Sequence, residues 1–175
     1  MPTIVSDLVQ VAKASASDVP SIRRFIIAAW KEAGPKAWGW TGATDKNIAE
    51  LAAETTLRKL VSSSGSRLTV AKLGGSIVGF AATRDVDEHR VELAGIVVLE
   101  SVKGKGIGKA LIKEVIGTVS KRGIDEIIVK TEPFNERAIR FYETNGFSKV
   151  GPSKEEVDGK SLDLVVLRRS NRHVR

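Results

Sequence analysis

The chain has 175 residues, 42% of them hydrophobic and 28% charged, with a formal net charge of +7 and no cysteine. That length can bury the core of one domain, and the missing thiols exclude disulfides, thiolate metal sites and covalent intermediates on cysteine. No run of ~18 apolar residues is present to span a membrane, and Met1 to Gln10 lacks the basic start and apolar middle of a secretory leader, so a cytosolic, soluble chain is expected.

Leu8 to Ala14 reads as a short strand. Ser17-Asp18 offers an N-cap and Pro20 suits the first turn of a helix through Trp30 to Ala33, with Ile22, Phe25, Ile26 and Ala29 as its apolar stripe and Gly34-Pro35 as its stop. A loop follows that holds Trp38 and Trp40. Thr44-Asp45 then predicts a second helix to about Val61, with Ile48, Leu51, Ala52, Thr55 and Leu60 turned inward. Arg67 to Lys72 and Ser76 to Thr83 read as strands joined at Leu73-Gly74-Gly75, a hairpin signal. Arg84 to Arg90 is a charged turn.

The stretch from Val91 to Lys109, V-E-L-A-G-I-V-V-L-E-S-V-K-G-K-G-I-G-K, is the organising feature. A β-branched strand leads through a short polar link into a glycine-rich loop, which opens a helix covering Ala110 to Arg122. Glycines let the backbone approach an anion, and the first N–H groups of the helix, its dipole and Lys103, Lys105 and Lys109 attract one. Two familiar loops fail on specific residues. A dinucleotide fingerprint G-x-G-x-x-G would need glycine where Lys109 stands, and a P-loop would need glycine at Lys103 and a hydroxyl at Ala110.

Beyond the loop, Gly123 stops the helix, Asp125 to Lys130 forms another strand, and Pro133 starts a further helix. Its segment Asn135 to Phe147 reads N-E-R-A-I-R-F-Y-E-T-N-G-F. Asn135, Ala138 and Tyr142 are spaced to share one helical face, whereas Phe134, Ile139 and Phe141 are expected to pack into the core. Asn145-Gly146 supplies the left-handed stop. Ser148 to Val150 and Leu162 to Arg168 complete the sheet around a polar hairpin from Gly151 to Ser161. The cationic end, from Arg168 to Arg175, is read as a frayed, solvated basic tail, with nucleic acid an improbable partner because no interleaved aromatic and basic surface pattern accompanies it.

Lys103-Gly104-Lys105-Gly106-Ile107-Gly108 resembles the [QR]-x-x-G-x-[GA] pyrophosphate loop of GCN5-related N-acetyltransferases (GNAT), with lysine in place of the planar first residue. The segment from Asn135 is similar to the same family's N-x-x-A-x-x-F-Y-x-x-x-G-F motif at every named position. The resemblance runs from Leu8 to Arg168 in element order, β-α-α-β-β-β-α-β-α-β-β. It implies a mixed α/β acyl-CoA N-acyltransferase fold, with a mostly antiparallel central sheet flanked by helices, in one domain covering 1–175.

The same resemblance implies direct transfer of acetyl from acetyl-coenzyme A to a primary amine in a ternary complex, with no metal. The backbone of Ile96, Val97 and Val98 would pair with the pantetheine arm, and Lys103 to Lys109 (Lys103, Gly104, Lys105, Gly106, Ile107, Gly108, Lys109) would hold the diphosphate. Asn135 and Ala138 would line the arm, and Tyr142 would be the general acid toward sulfur. A lysine amine of pKa ~10.4 is neutral about once in 2,500 at pH 7, a cost of roughly 4.6 kcal/mol, whereas an α-amine near ~7.8 costs about 1 kcal/mol, so side-chain acceptors need a base more. Glu92 is the first candidate for that base, with Glu88 and His89 behind it. Trp30, Trp38 and Trp40 are candidates to wall the acceptor or to anchor a loop. The acceptor itself stays open among peptide N-terminus, lysine, polyamine and small metabolite, a homodimer is a possibility, and a noncatalytic coenzyme A binder is the alternative function.

Overall fold

The computed structural model describes residues 8–38 and 43–172. Seven strands form one sheet in the order β1-β2-β3-β4-β5-β7-β6: β1 (Val9–Lys13), β2 (Ser66–Leu73), β3 (Ser76–Asp85), β4 (Arg90–Val98), β5 (Glu126–Thr131), β6 (Ser148–Val157) and β7 (Lys160–Ser170). Every neighbouring pair is antiparallel except β4 and β5. That parallel pair needs a crossover, which is the helix α5 (Ile107–Lys121).

On one face lie α1 (Val19–Ala33), the short α2 (Pro35–Trp38), α3 (Asp45–Ala52) and α4 (Glu54–Ser62). The predicted stripe of α1, Ile22, Phe25, Ile26 and Ala29, is buried with Leu68, Val70, Phe80 and Val97 of the sheet. On the other face α5 (Ile107–Lys121) and α6 (Glu136–Thr144) cover a second core built on Val91, Leu93, Leu111, Ile112, Ile127, Val129 and Leu167. Gly79 permits the close seating of α5. A Cβ there would stand 3.1 Å from Leu111 Cδ1 and from the Val97 carbonyl oxygen.

Several elements differ from the sequence reading. The single helix expected from Thr44 to Val61 is two, because Ala53 is extended (φ −62°, ψ 134°) and ends α3 while starting α4. A straight helix would turn Leu57 about 140° away from Ala52, whereas the break lets Ile48, Ala52 and Leu57 enter one core; Thr55, expected inward, is exposed. The expected start at Pro133 lies in a turn, and Asn135 caps α6 instead. Phe134, expected in the core, is 70% exposed because that turn carries it off the helical face. The hairpin expected from Gly151 to Ser161 is mostly strand. Only Asp158 (φ 51°) and Gly159 (φ 76°) make its turn, a two-residue connection like the one at Gly74-Gly75. Arg168 to Ser170, read as the start of a tail, belong to β7. No helix among the described residues is long and apolar enough to cross a membrane.

Candidate active site

The site begins where β4 and β5 part. Their pairing runs from Arg90↔Glu126 to Leu93↔Val129 and then stops, while β5 continues beside β7 to Thr131↔Val165. At the same point β4 carries one residue too many for β3: Ala82 faces Gly95 and Thr83 faces Leu93, leaving Ala94 as a bulge. A bulge bends and twists its strand, so β4 swings away from β5 and opens a wedge. The ladder alternation decides which backbone groups face it. Leu99 N–H donates to the Val78 carbonyl at 3.0 Å, so Val97 opposite Phe80 is the next bonded pair. Ile96 and Val98 therefore direct their N–H and C=O groups into the wedge, and no strand among the described residues pairs with them there.

The wedge ends at the glycine loop. Gly104 and Gly106 both hold φ 80°, a left-handed conformation that side chains resist. Gly106 is the N-cap of α5, and the first intrahelical bond runs from Ala110 N–H to the Gly106 carbonyl at 3.0 Å. The N–H groups of Ile107, Gly108 and Lys109 thus have no helical acceptor and lie at the positive end of a 15-residue helix dipole. The loop is held from behind: the Glu32 carboxylate on α1 accepts from the N–H groups of Glu100 and Ser101, both at 3.0 Å. Lys103 Nζ lies 2.6 Å from Glu100 Oε2. That ammonium, more than the farther charges of Lys36 and Arg137, holds the Glu100 carboxyl below its ordinary range.

Together wedge and loop form a cleft of about 620 Å³. Its wall includes Ile96, Val98, Lys103, Gly104, Gly106, Ile107, Gly108 and Lys109 from the loop side and Asn135, Ala138 and Tyr142 from α6. Asn135 Oδ1 accepts from Ala138 N–H at 3.2 Å, which fixes the first turn of α6 and hence where Tyr142 projects one turn later. Tyr142 is 8% exposed, edge-to-face with Phe141 and Phe147 at ring centroid distances of 5.3 and 5.6 Å. It belongs at once to the core and to the cleft wall. Burial away from water raises its phenol from 10.0 to about 12. Glu92 also lines the cleft, and its Oε2 accepts from Arg84 Nε and Nη2 at 2.9 and 2.7 Å.

A family model described as the Acetyltransferase (GNAT) family matches residues 24–147, a span that contains the wedge, the loop and α6. The chain belongs to the GNAT family. Among curated relatives, rat N-acetyltransferase 8 is 27% identical over 142 residues, covering 76% of this chain and 64% of that protein. Zebrafish N-acetylaspartate synthetase is 34% identical over 92 residues, 52% of this chain and 33% of that one. The chain thus spans less than two thirds of the length of the curated relatives it matches. The crystal structure of PaiA N-acetyltransferase from Thermoplasma acidophilum in complex with coenzyme A superposes with a TM-score of 0.71 at 20% identity, over 93% of this chain and 98% of that one. The mixed sheet is the GNAT fold.

Within this GNAT domain the structure separates the sequence candidates. Val97 turns away from the cleft: its side chain is 2% exposed in the core under α1 and its main chain pairs with Phe80. Lys105 is exposed and off the wall. Glu88 and His89 sit at the far, closed end of β4, where His89 Nδ1 approaches Asp125 Oδ2 at 3.3 Å, so neither lines the cleft. Trp30 Nε1 donates to Asp45 Oδ1 at 2.6 Å and the ring packs on the α1 core rather than on the cleft. Trp40 and His173 to Arg175 lie outside the described residues, as does the side chain of Trp38. Arg168 and Arg172 are neutralised in place by Glu126 and Asp125, each at 3.3 Å.

Sequence reasoning missed Arg84, Glu32 and the Lys130–Glu155 pair, whose 2.6 Å contact closes the β5 side of the cleft. Their signal is absent from local spacing because Glu32 and Glu155 meet partners far along the chain, and the facing of Arg84 and Glu92 depends on the register of β3 against β4. Among the described residues no group of three or more His, Asp or Glu is placed to hold a metal.

Proposed function

We propose that this chain is an acetyl-coenzyme A-dependent N-acetyltransferase that moves acetyl directly to a primary amine within a ternary complex. The observation that carries the reading is one continuous surface: an unpaired β4 edge that runs into the left-handed glycine loop at the head of α5, with a buried phenol on the opposite wall. These residues fit coenzyme A by their chemistry. The edge offers peptide-like donors and acceptors to the two amides of a pantetheine arm, and the loop offers N–H groups and the ammonium groups of Lys103 and Lys109 to a diphosphate. When bound, the cosubstrate supplies a thioester, an electrophilic carbonyl on a thiol leaving group.

In this reading the N–H of Ile96 or Val98 faces the carbonyl oxygen, where a fixed donor typically contributes roughly 3 kcal/mol to the transition state. Tyr142, still protonated far above neutral pH, donates its O–H toward the position of the sulfur. Because a phenol near 12 is a weaker acid than an ordinary thiol of ~8.5, it acts as a donor that keeps its proton until the sulfur has gained negative charge. Glu92 receives the amine proton through Oε1, since Oε2 is held by Arg84. Asn135 and Ala138 set the start of α6 and leave room beside Tyr142.

The test is thiol release from acetyl-coenzyme A with a panel of amines, alongside direct titration with coenzyme A. The chain has no cysteine, so a thiol reagent reads released coenzyme A without background. Saturable release with at least one amine supports the reading. Tight coenzyme A binding with no release from any amine replaces it with a noncatalytic binder.

A further inference from the structure

Two ion pairs line the cleft beside β4 and β5, Arg84–Glu92 and Lys130–Glu155. Val91, Leu93, Ile127 and Val129 face the core under α5, so period-two alternation places Glu92 and Lys130 on the opposite face of the sheet. The core under α1 draws no described residue from β5, β6 or β7, and the short α2 approaches this face beside β4, with Lys36 lining the cleft. There Arg84 stands across from Glu92 in register and bonds it, and Lys130 bonds Glu155 at 2.6 Å. Glu92 and Glu155 are the carboxylates among the described cleft-lining residues, and each already holds a cation.

Arg84 keeps bonding capacity in a planar fork. Its guanidinium has five N–H donors, and the bonds from Nε and Nη2 to one oxygen of Glu92 use two. The side chain is 58% exposed while that of Glu92 is 11% exposed. Nη1 and the second Nη2 hydrogen are not used in the bonds to Glu92, and the exposed side chain that carries them lines the cleft beside the carboxylate that would take the amine proton. A planar fork matches a carboxylate in geometry as well as charge.

Resting on the acetyl-transfer reading above, we infer that the acceptor is a small amine bearing its own carboxylate a few bonds away, an amino-acid-like molecule, with Arg84 as the residue that selects it. The amine lies against Glu92 Oε1 while the acceptor carboxylate spans to Nη1 and Nη2 of Arg84. Beyond Glu92, a polyamine finds among the described cleft residues one further carboxylate, Glu155, which Lys130 already bonds, and an amine without a carboxylate leaves the fork unfilled. In the reaction the nitrogen forms a bond to the acetyl carbonyl carbon, the carbon–sulfur bond breaks, Glu92 takes the amine proton and Tyr142 gives its phenol proton to the departing thiolate; Glu92 then loses its proton to solvent and Tyr142 regains one from it, so atoms and charge balance.

The experiment uses the full chain and acetyl-coenzyme A, and compares kcat/KM for matched pairs of an α-amino acid and its amide, with γ-aminobutyrate and spermidine alongside. The amide carries the less basic amine and is the better intrinsic nucleophile at pH 8, so a preference for the acid reports recognition. We expect the best acid to exceed its amide by about tenfold or more, mostly through KM, as a charge-assisted hydrogen bond provides. Arg84→Gln should bring the acid-to-amide ratio toward one, and Arg84→Lys should retain part of it. The ratio is internal to each protein, so it stays readable even if a variant is less active. Amides or spermidine turned over as well as the best acid, or an unchanged ratio in Arg84→Gln, overturns the inference while leaving acetyl transfer intact. No release with any of these amines overturns the inference, while release with peptide or other amines of the wider panel keeps acetyl transfer standing; coenzyme A binding with no release from any amine removes the transferase reading as well.

Discussion

Tyr142 is the one tyrosine in the chain, so an absorbance titration of phenolate near 295 nm observes that side chain alone. Its burial predicts that the folded protein shows almost no phenolate at pH 10 and reaches its midpoint only at about 12. In the unfolded chain the same phenol titrates near ~10. A group whose folded pKa is raised contributes its stability below the unfolded value and loses it as pH rises through the folded one. The window is therefore pH 10 to 12, and two pKa units correspond to roughly 2 to 3 kcal/mol lost across it. Tyr142→Phe removes the O–H and keeps the edge-to-face contacts with Phe141 and Phe147. Urea unfolding of the two proteins side by side should give near-equal stability at pH 8, with the parent losing the extra increment above pH 10 and the variant not, which isolates this group from every other side chain the two proteins share. In turnover, the variant should lose about 10² or more in kcat, with KM for acetyl-coenzyme A moved by less than about threefold. A phenolate midpoint near 10, or full kcat in Tyr142→Phe, refutes the picture of a desolvated donor at the cleft.

Other outcomes follow from the same geometry. Gly106→Ala forces a side chain into φ 80° and should cost roughly 1 kcal/mol in unfolding free energy. By contrast, Gly108→Ala places its Cβ at ordinary contact, 3.6 Å from Phe141, and should leave the melting midpoint nearly unchanged; equal losses in the two would contradict this. Glu32→Gln weakens the two bonds to Glu100 and Ser101, and calorimetry should show coenzyme A affinity reduced several-fold, with stability down by roughly 1 kcal/mol because the site is exposed. Glu92→Gln should lower kcat about tenfold or more for the most basic acceptor and less for a weakly basic amine; an equal effect on both would remove Glu92 as the base. Coenzyme A affinity should also fall as salt is raised, since the loop cations are mostly at the surface.

Much of this protein was legible along the chain because its signals are local. The loop from Lys103 to Lys109 declares its left-handed glycines and lysines within seven residues, and the stripe of α1 follows from helical period alone. Asn135, Ala138 and Tyr142 share a face for the same reason. Even the absent cysteine settles a question of chemistry without any coordinates. The wedge was different. It exists because β4 carries an extra residue at Ala94 relative to β3 and so parts from β5 after Leu93, and register between strands is a property of the assembled sheet. Arg84 meets Glu92, Lys130 meets Glu155 and Glu32 reaches the loop 68 residues away only once that sheet has formed. The amino-acid order thus determined which backbone conformations and side-chain chemistries were present, since those depend on neighbours within a few residues. Only the tertiary structure decided which of them face one another across the cleft, because pairing over long loops is set by the packing of the whole core.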